Sequence, residues 1–226
     1  MSRKRYKQNA HSQWVQVQAV LLLATLSLCI LAVGLSLLYY FFGVQIPVAL
    51  RAIIFLVVCW ILWTYRPLAV AATRKKENAA QGARAEEDVA FLLDTSLPKD
   101  WAILENEDIG YGDIDFIIRS PKNNHYIIDV KSHKGEEKFI RNGTLYKKVQ
   151  GQVYRFDFKK CPFQGLAVQA KLFKKKYPEY DAGWITTILC FTEGSIQFTG
   201  ERPPYRCLMT TKGDLIYLLE KLEKKK

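Results

Sequence analysis

Four charged side chains lie at strand spacing near the middle of the chain. Asp113 and Asp115 open one apolar run, and Asp129 and Lys131 end a second run. A polar stretch at residues 120–124 separates the two runs, which is typical of a hairpin. Because side chains alternate along a strand, the members of each pair are expected to share a face. Carboxylates on neighbouring strands beside an ammonium group suit a divalent cation that holds a phosphate while water attacks it.

The same charges also have a purely structural interpretation. An aspartate next to a glycine turn is common, and an Asp-x-Lys pair on a strand is often a solvated cross-strand pair. Against this, the four charges lie within runs rich in isoleucine, phenylalanine and valine, where a charge without a partner is costly. Spacing alone leaves both interpretations open.

The apolar pattern around these charges predicts an α/β domain of ordinary size over residues 82–226. The predicted elements, in chain order, are a helix over 83–94, strands over 101–109, 113–119 and 126–132, a hairpin over 138–147 with Asn142-Gly143 at its turn, a helix from Pro162 to about residue 177, a strand over 184–191, and a terminal helix capped by Thr211 and Asp214. Residues 149–160 give no clear pattern.

Two apolar runs precede this domain. Residues 14–42 hold no charged side chain, and residues 46–65 hold only Arg51. The first run exceeds the roughly 20 residues that cross a hydrocarbon core. Neither run has a polar face, which disfavours a buried helical hairpin in a soluble protein. We therefore expect a transmembrane hairpin over residues 14–66, with the lipid bilayer as a partner.

Cations flank the predicted hairpin on both outer sides. Residues 1–13 hold four cations and no acid, and further cations follow the second run at Arg66 and at residues 74–76. By the positive-inside rule both termini lie in the cytoplasm, as in an integral protein of a bacterial inner membrane. The predicted plan is a basic N-terminus at 1–13, two transmembrane helices at 14–66, a helical linker at 67–81 and the α/β domain at 82–226.

Charge is distributed unevenly along the α/β domain. Residues 82–130 hold 4 cations and 11 acids, whereas residues 131–176 hold 13 cations and 3 acids. An acidic cluster beside a basic one suits a metal centre next to a surface that follows phosphates. The alternative is that the two parts are solvated faces that neutralise each other.

The other chemistry-bearing side chains give little support to other kinds of site. The five cysteines are scattered, without a Cys-x-x-Cys or a His/Cys cluster, so neither a zinc site nor a disulfide framework is indicated. His125 and His133 lie next to the turn and after the second run, where a histidine is usually on the surface.

Four short motifs occur in order between residue 82 and about residue 198. They are Gly82-Ala-Arg-Ala-Glu86, Gly112-Asp-Ile-Asp115, Ile128-Asp129-Val130-Lys131 and Pro162-Phe-Gln164. In this order they resemble the NERD (nuclease-related) domain, a family of the PD-(D/E)XK superfamily with the restriction-endonuclease-like fold. The chain departs from the family pattern at Ala85, where glycine is usual, and at Cys161, where asparagine is usual. The spacing from Pro162 to Gln164 is also one residue shorter than in the family.

The resemblance implies a metal-dependent phosphodiesterase built on a central mixed sheet flanked by helices. It implies that Asp115 and Asp129 bind Mg²⁺ or Mn²⁺ and that Glu86 completes the acidic cluster, directly or through water. Lys131 would hold or deprotonate the attacking water and neutralise developing charge. Gln164 would orient the phosphate or the water. Nucleic acid, with DNA expected before RNA, is the implied partner.

Several alternatives stay open. Asp113 is the rival of Asp115, since it lies two residues away on the same predicted strand. Glu86 lies near the predicted helix start, where an acid also favourably meets the helix dipole. Gln164 equally fits a helix cap. Two functions are compatible with the pattern: a membrane-anchored nuclease that acts in the cytoplasm, and a catalytically silent module that tethers nucleic acid or a protein at the membrane. The oligomeric state is not indicated.

Overall fold

The computed structural model describes residues 27, 34, 39–40, 47–110, 112–156, 161–180 and 185–225. The chain divides into two compact units between Ala80 and Gln81. The described helices are α1 (Val48–Ser96), α2 (Pro162–Lys176) and α3 (Leu215–Lys225), with short 3-10 helices at Pro178–Tyr180 and Pro204–Arg206. The described strands are β1 (Ala102–Asp108), β2 (Asp113–Arg119), β3 (His125–Lys131), β4 (Glu137–Arg141), β5 (Thr144–Val149), β6 (Gln152–Arg155), β7 (Ile185–Phe191), β8 (Ser195–Ile196) and β9 (Leu208–Thr211).

Helix α1 is longer than the sequence pattern predicted. It is one helix of 49 residues that includes both the predicted linker and the predicted first helix of the α/β domain. Residues 68–96 contain no proline and a single glycine, so nothing there interrupts the hydrogen-bond ladder. The helix ends at Ser96, shortly before Pro98, where the helical conformation becomes unfavourable.

Membrane-spanning helices were predicted over residues 14–66. In the part of the chain that the structure describes, no helix is long and apolar enough to cross a membrane. The span predicted at residues 46–65 is therefore not supported. The span predicted at residues 14–42 lies outside the described residues, apart from positions 27, 34, 39 and 40.

The second unit is built on a mixed five-stranded sheet. Its strand order is β1-β2-β3-β7-β9. Strands β1, β2 and β3 are antiparallel neighbours, and β7 runs parallel to both β3 and β9. Helices flank this sheet, so the predicted α/β class with a mixed central sheet is confirmed.

Each face of the sheet packs against different helices. One core contains Ala85, Val89 and Leu93 of α1 together with Leu215 and Leu219 of α3. The spacing of four residues places each of these sets on one side of its helix. The core on the other face contains Phe163, Leu166 and Phe173 of α2, with Ile140 and Leu145 of a second sheet.

The second sheet has the strand order β6-β5-β4-β8. Asn142 and Gly143 join β4 to β5, and their φ angles of 50° and 67° are those that a type I′ turn requires. Strand β6 forms the edge of the sheet, and all four of its residues are exposed. It lies within residues 149–160, which showed no pattern because a strand exposed on both faces has no apolar alternation.

A fully buried lysine joins two loops at the end of the central strands. Lys138 has 0% exposure, and its Nζ donates to the carbonyl oxygen of Gly135 at 3.2 Å. The same Nζ also donates to the carbonyl oxygen of Glu193 and lies 5.2 Å from the ring centroid of Phe191. Burial lowers the pKa of Lys138, while the charge of Glu193 opposes this effect. The lysine thus connects the segment after β3 to the segment after β7.

Helix α3 is tied to the β2–β3 turn by Glu223. Its Oε1 accepts hydrogen bonds from Tyr126 Oη at 2.7 Å and from Asn124 Nδ2 at 2.7 Å. Lys122 Nζ donates to the backbone oxygen of Glu223 at 2.9 Å. Burial alone would raise the pKa of Glu223, but hydrogen bonds from Tyr126, Asn124 and Ser120 together with the charge of Lys122 outweigh it, and the pKa is lowered.

We expect Glu223→Ala to lower the free energy of unfolding by about 1–2 kcal/mol, because two donors lose a charged acceptor. Glu220→Ala is the matched control, since Glu220 is exposed on the same helix. The folded pKa of Glu223 is below the unfolded value, so this stabilisation is present above the unfolded pKa and is lost as pH falls through the folded pKa. Urea unfolding of both variants at neutral and acidic pH measures it, and equal losses for the two variants would contradict the assignment.

Candidate active site

The pairing of β2 with β3 ends where the predicted carboxylates begin. Their backbone register runs to Phe116 opposite Ile128 and stops there. Next to this point, Asp115 Oδ2 accepts a hydrogen bond from the backbone N–H of Val130 at 2.7 Å. The side chain of Asp115 therefore takes the place of a backbone carbonyl group as the acceptor. The backbone hydrogen bonds between β2 and β3 stop there, so the β2–β3 ladder is open at Asp115 and Asp129.

A local irregularity in β2 sets the environment of Asp115. The register of β1 with β2 skips Asp115 and its opposite residue Asn106, which has a positive φ of 55°. Ile114 and Phe116 would share a face in a regular strand, yet they lie in opposite cores. As a result Asp115 is partly buried between strands, whereas Asp113 is exposed.

Lys131 and Asp129 form an ion pair at the end of β3. Lys131 Nζ donates to Asp129 Oδ1 at 2.7 Å, and the two side chains are 25% and 20% exposed. The two residues lie on one face of the strand, as the spacing predicted. The pair is therefore reachable from solvent but partly screened from it.

Electrostatic coupling joins four of the predicted residues into one cluster. Burial raises the pKa of Asp115 well above its usual value, and the charges of Asp129 and Glu86 raise it further while Lys131 lowers it. Burial also raises the pKa of Glu86, with Lys131 opposing and Asp129 adding to the effect. The charges of Asp129 and Lys131 thus act on both Asp115 and Glu86, and a cation bound here would favour their ionised forms.

The sequence that carries this site matches a known protein family. Residues 81–192 match the sequence model of the NERD family, which is described as a nuclease-related domain. A NERD domain is thus found at residues 81–192. Searches of curated proteins and of solved structures gave no match to the chain.

The NERD domain contains every site residue predicted from the sequence. It extends from the last four turns of α1 to the end of β7, so it includes the carboxylate cluster, the second-sheet strands β4 to β6, and α2. Strand β9 and helix α3 lie beyond residue 192, although both complete the central sheet and its helical cover. The family match points to a possible nuclease.

Gln81, at the start of the NERD domain, fixes α1 against the strand ends. Its Nε2 donates to the backbone oxygen of Ser132 at 2.8 Å and to Glu193 Oε1 at 2.7 Å. Ser132 directly follows Lys131, and Glu86 lies five residues after Gln81 on the same helix. The glutamine therefore holds the helix that carries Glu86 next to the strand that carries Lys131.

Helix α2 contacts β2 through a glutamine other than Gln164, which was the predicted site residue. Gln164 is exposed on the first turn, and within the described residues no hydrogen bond connects it to the carboxylates. Gln169 Nε2 instead donates to the backbone oxygen of Asp113 at 3.1 Å. Gln169 lies three residues after the buried Leu166 and four before the buried Phe173, so it is a polar residue on the apolar side of α2. A polar residue at such a position is a signal by which Gln169 could have been identified from the sequence.

The two histidines are not surface residues, contrary to the expectation from the turn. His125 is 2% exposed and lies with its ring 6.1 Å from Phe173 and 6.0 Å from Tyr180, measured between centroids. His133 is partly buried with its ring centroid 5.3 Å from that of Phe156. Burial lowers the pKa of His133, and the charge of Lys131 lowers it further.

The donor set suits a hard divalent cation with few protein ligands. Among the described residues, no group of three or more His, Cys, Asp or Glu side chains is placed to hold one ion. Asp115 and Asp129 nevertheless supply oxygen donors where the ladder opens, and their mutual repulsion favours a cation. Mg²⁺ keeps several waters and is often bound through one or two carboxylates, so Asp115 and Asp129 fit it.

Proposed function

We propose that the NERD domain is a nuclease of the PD-(D/E)XK type that hydrolyses phosphodiester bonds of DNA with Mg²⁺ or Mn²⁺. The observation that carries the proposal is the open end of the β2–β3 ladder. Two acids, Asp115 and Asp129, meet there with Lys131 in one electrostatic cluster, and Glu86 joins them from α1. This is the combination of groups that phosphodiester hydrolysis needs at one place.

Each residue of the cluster has a defined task in this proposal. Asp115 is oriented by the N–H of Val130, which leaves its second carboxylate oxygen for a ligand. Asp129 holds the ammonium of Lys131 in place through the 2.7 Å ion pair. Lys131 then holds the attacking water and neutralises negative charge that develops on the phosphate.

The metal ion, when bound to Asp115 and Asp129, would polarise the phosphate and lower the pKa of a bound water. Glu86 would accept a hydrogen bond from a water molecule at this site, and burial, which raises the pKa of its carboxyl group, makes it a stronger base than an exposed glutamate. Gln169 contributes by holding the first residue of β2 in place, since it donates to the backbone oxygen of Asp113.

The proposed cellular location depends on the sequence alone. The apolar run at residues 14–42 and its flanking cations favour attachment to a bilayer with the NERD domain on the cytoplasmic side. That run lies almost wholly outside the described residues, so membrane attachment stays a prediction.

A divalent-metal titration of the full-length protein tests the proposed reaction. The substrates are end-labelled double-stranded DNA, single-stranded DNA and RNA, each incubated with Mg²⁺, Mn²⁺ or EDTA. We expect DNA cleavage with either metal, no cleavage in EDTA, and a fall of about 10²–10³-fold in rate for Lys131→Ala and for Asp129→Ala. Circular dichroism checks that both variants stay folded.

Two results would change the proposal. Equal cleavage by wild type and Lys131→Ala would mean that the activity arises elsewhere. Metal-independent binding of nucleic acid without any cleavage would favour the second function, a silent module that tethers nucleic acid.

A further inference from the structure

A row of three side chains crosses the second sheet beside the carboxylate cluster. Lys138, Lys147 and Tyr154 are direct cross-strand partners on β4, β5 and β6. Such partners point to the same face of a sheet, about 5 Å apart. Exposure increases along the row: Lys138 is buried, Lys147 is partly buried, and Tyr154 on the edge strand is 46% exposed.

The row faces the same space as the carboxylate cluster. Ile140 and Leu145 share its face of the second sheet, and both pack in one core with Ile127 of β3. Ile127 lies on the face of β3 that also carries Asp129 and Lys131, because these residues are separated by two and four positions. Both groups of side chains therefore point between the two sheets.

Lys147 lies between the carboxylate cluster and the edge strand β6. The segment after β3 packs directly on it, since a Cβ built on Gly135 would lie 3.3 Å from Lys147 Cβ. The charges of Lys131 and Lys147 both act on His133, which lies between β3 and β5 in the chain. Lys147 Nζ also lies 5.4 Å from the ring centroid of Phe156, which limits the positions the ammonium can take.

Tyr154 presents an oriented aromatic ring at the end of the row. Its hydroxyl group donates to Oε1 of Gln152, two residues earlier on the same face of β6. That contact holds the ring in place while leaving 46% of the residue exposed. An exposed ring next to an ammonium group is the arrangement by which proteins stack an unpaired base and bind the adjoining phosphate.

We propose that Lys147 and Tyr154 bind an unpaired stretch of nucleic acid that continues from the phosphate held at the carboxylate cluster. Lys147 binds a backbone phosphate, and a base stacks on Tyr154. Duplex bases are already stacked on each other, so the row selects single-stranded segments or frayed ends. The inference rests on the proposed nuclease function, since it assigns that function's substrate class.

Binding of full-length protein to a fluorescein-labelled oligothymidylate strand, measured by anisotropy in EDTA, tests this assignment without cleavage. The duplex of that strand with oligodeoxyadenylate is the second probe. We expect Tyr154→Ala to weaken single-strand binding about tenfold or more and to leave duplex binding unchanged. Tyr154→Phe should retain most of the single-strand binding, since it keeps the ring and loses only the hydroxyl contact with Gln152. Lys147→Gln should lower the salt dependence of single-strand binding by about 0.7 in log–log slope.

The chain offers a matched control for each variant. Lys148→Gln removes a neighbouring charge on the opposite face of β5, where Lys148 pairs with Glu137 at 3.5 Å. Tyr217→Ala removes another exposed tyrosine, which lies on α3 with Lys221 Nζ 5.5 Å from its ring. Both controls should bind single strands as wild type does.

The possible outcomes separate this inference from the proposed function. Unchanged single-strand binding by Tyr154→Ala, or an equal loss for duplex, would overturn the inference even if metal-dependent cleavage is observed. A selective loss together with no cleavage under any metal would support the binding site and reject the nuclease.

Discussion

Asp115→Asn is expected to abolish cleavage and, at the same time, to make the protein more stable at neutral pH. The carboxylate supplies a metal ligand in the proposed reaction, so its loss should lower the rate by about 10²–10³-fold or more. Burial and the charges of Asp129 and Glu86 raise its pKa in the folded state, which means that folding disfavours the ionised form. Asparagine has nearly the same shape and retains an oxygen that can accept from the Val130 N–H.

The pH dependence gives this prediction a defined sign. The folded pKa of Asp115 lies above the unfolded value, so wild-type stability falls as pH rises from the unfolded pKa toward the folded pKa. The asparagine variant lacks this titration. The gain of the Asp115→Asn variant over wild type in the free energy of unfolding, measured with urea, should therefore be small in acid and greatest at pH values above the folded pKa of Asp115.

Asp113→Asn is the matched control for this prediction. Asp113 lies two residues earlier on β2, is exposed, and was the rival candidate from the sequence. We expect it to change both stability and cleavage rate little. Loss of cleavage in Asp113→Asn with retention in Asp115→Asn would reverse the assignment.

Gly194→Ala is expected to cause the largest loss of stability among the substitutions considered. Gly194 has a φ of 71°, and a Cβ there would overlap the carbonyl oxygen of Gly135 and lie 2.8 Å from that of Glu136. Both obstacles are backbone atoms in the segment that Ser195 joins through its 2.8 Å hydrogen bond to Glu136. Overpacking costs about 1–3 kcal/mol, and the left-handed backbone adds about 1–2 kcal/mol. We therefore expect a loss of about 2–5 kcal/mol in the free energy of unfolding.

Gly151→Ala separates the two contributions. Gly151 has a similar φ of 77°, but no heavy atom lies within 4 Å of the position of its Cβ. This variant should lose only the contribution of the left-handed backbone, about 1–2 kcal/mol in the free energy of unfolding measured with urea. Equal losses in the two glycine variants would show that close packing at Gly194 contributes nothing.

The sequence by itself determined the local structure that carries the site. The hairpin of β2 and β3, the turn at Asn142-Gly143 and the start of α2 at Pro162 all follow from alternation or from the backbone limits of single residues. The strand positions of the acids and of Lys131 on β2 and β3 could therefore be predicted before the fold was known, although spacing alone left Asp113 and Asp115 as rivals. Strand alternation and the backbone limits of single residues act over only a few neighbouring positions, so the order of residues in the sequence is enough to predict them.

Tertiary structure decided which way the site's side chains point and what surrounds them. Asp115 turns between the strands because the register of β1 with β2 skips it, which strand alternation cannot show. Nothing in the local sequence marks Lys138 as buried, yet carbonyl groups from two distant loops hold it in the core.

The row formed by Lys147 and Tyr154 likewise depends on tertiary structure, because β6 gave no pattern and its pairing fixes which residues are neighbours. The glutamine contact from α2 comes from Gln169 because helix packing selects the face that meets β2. Contacts between residues far apart in the chain determine all of these features, and only the folded arrangement of strands and helices specifies those contacts.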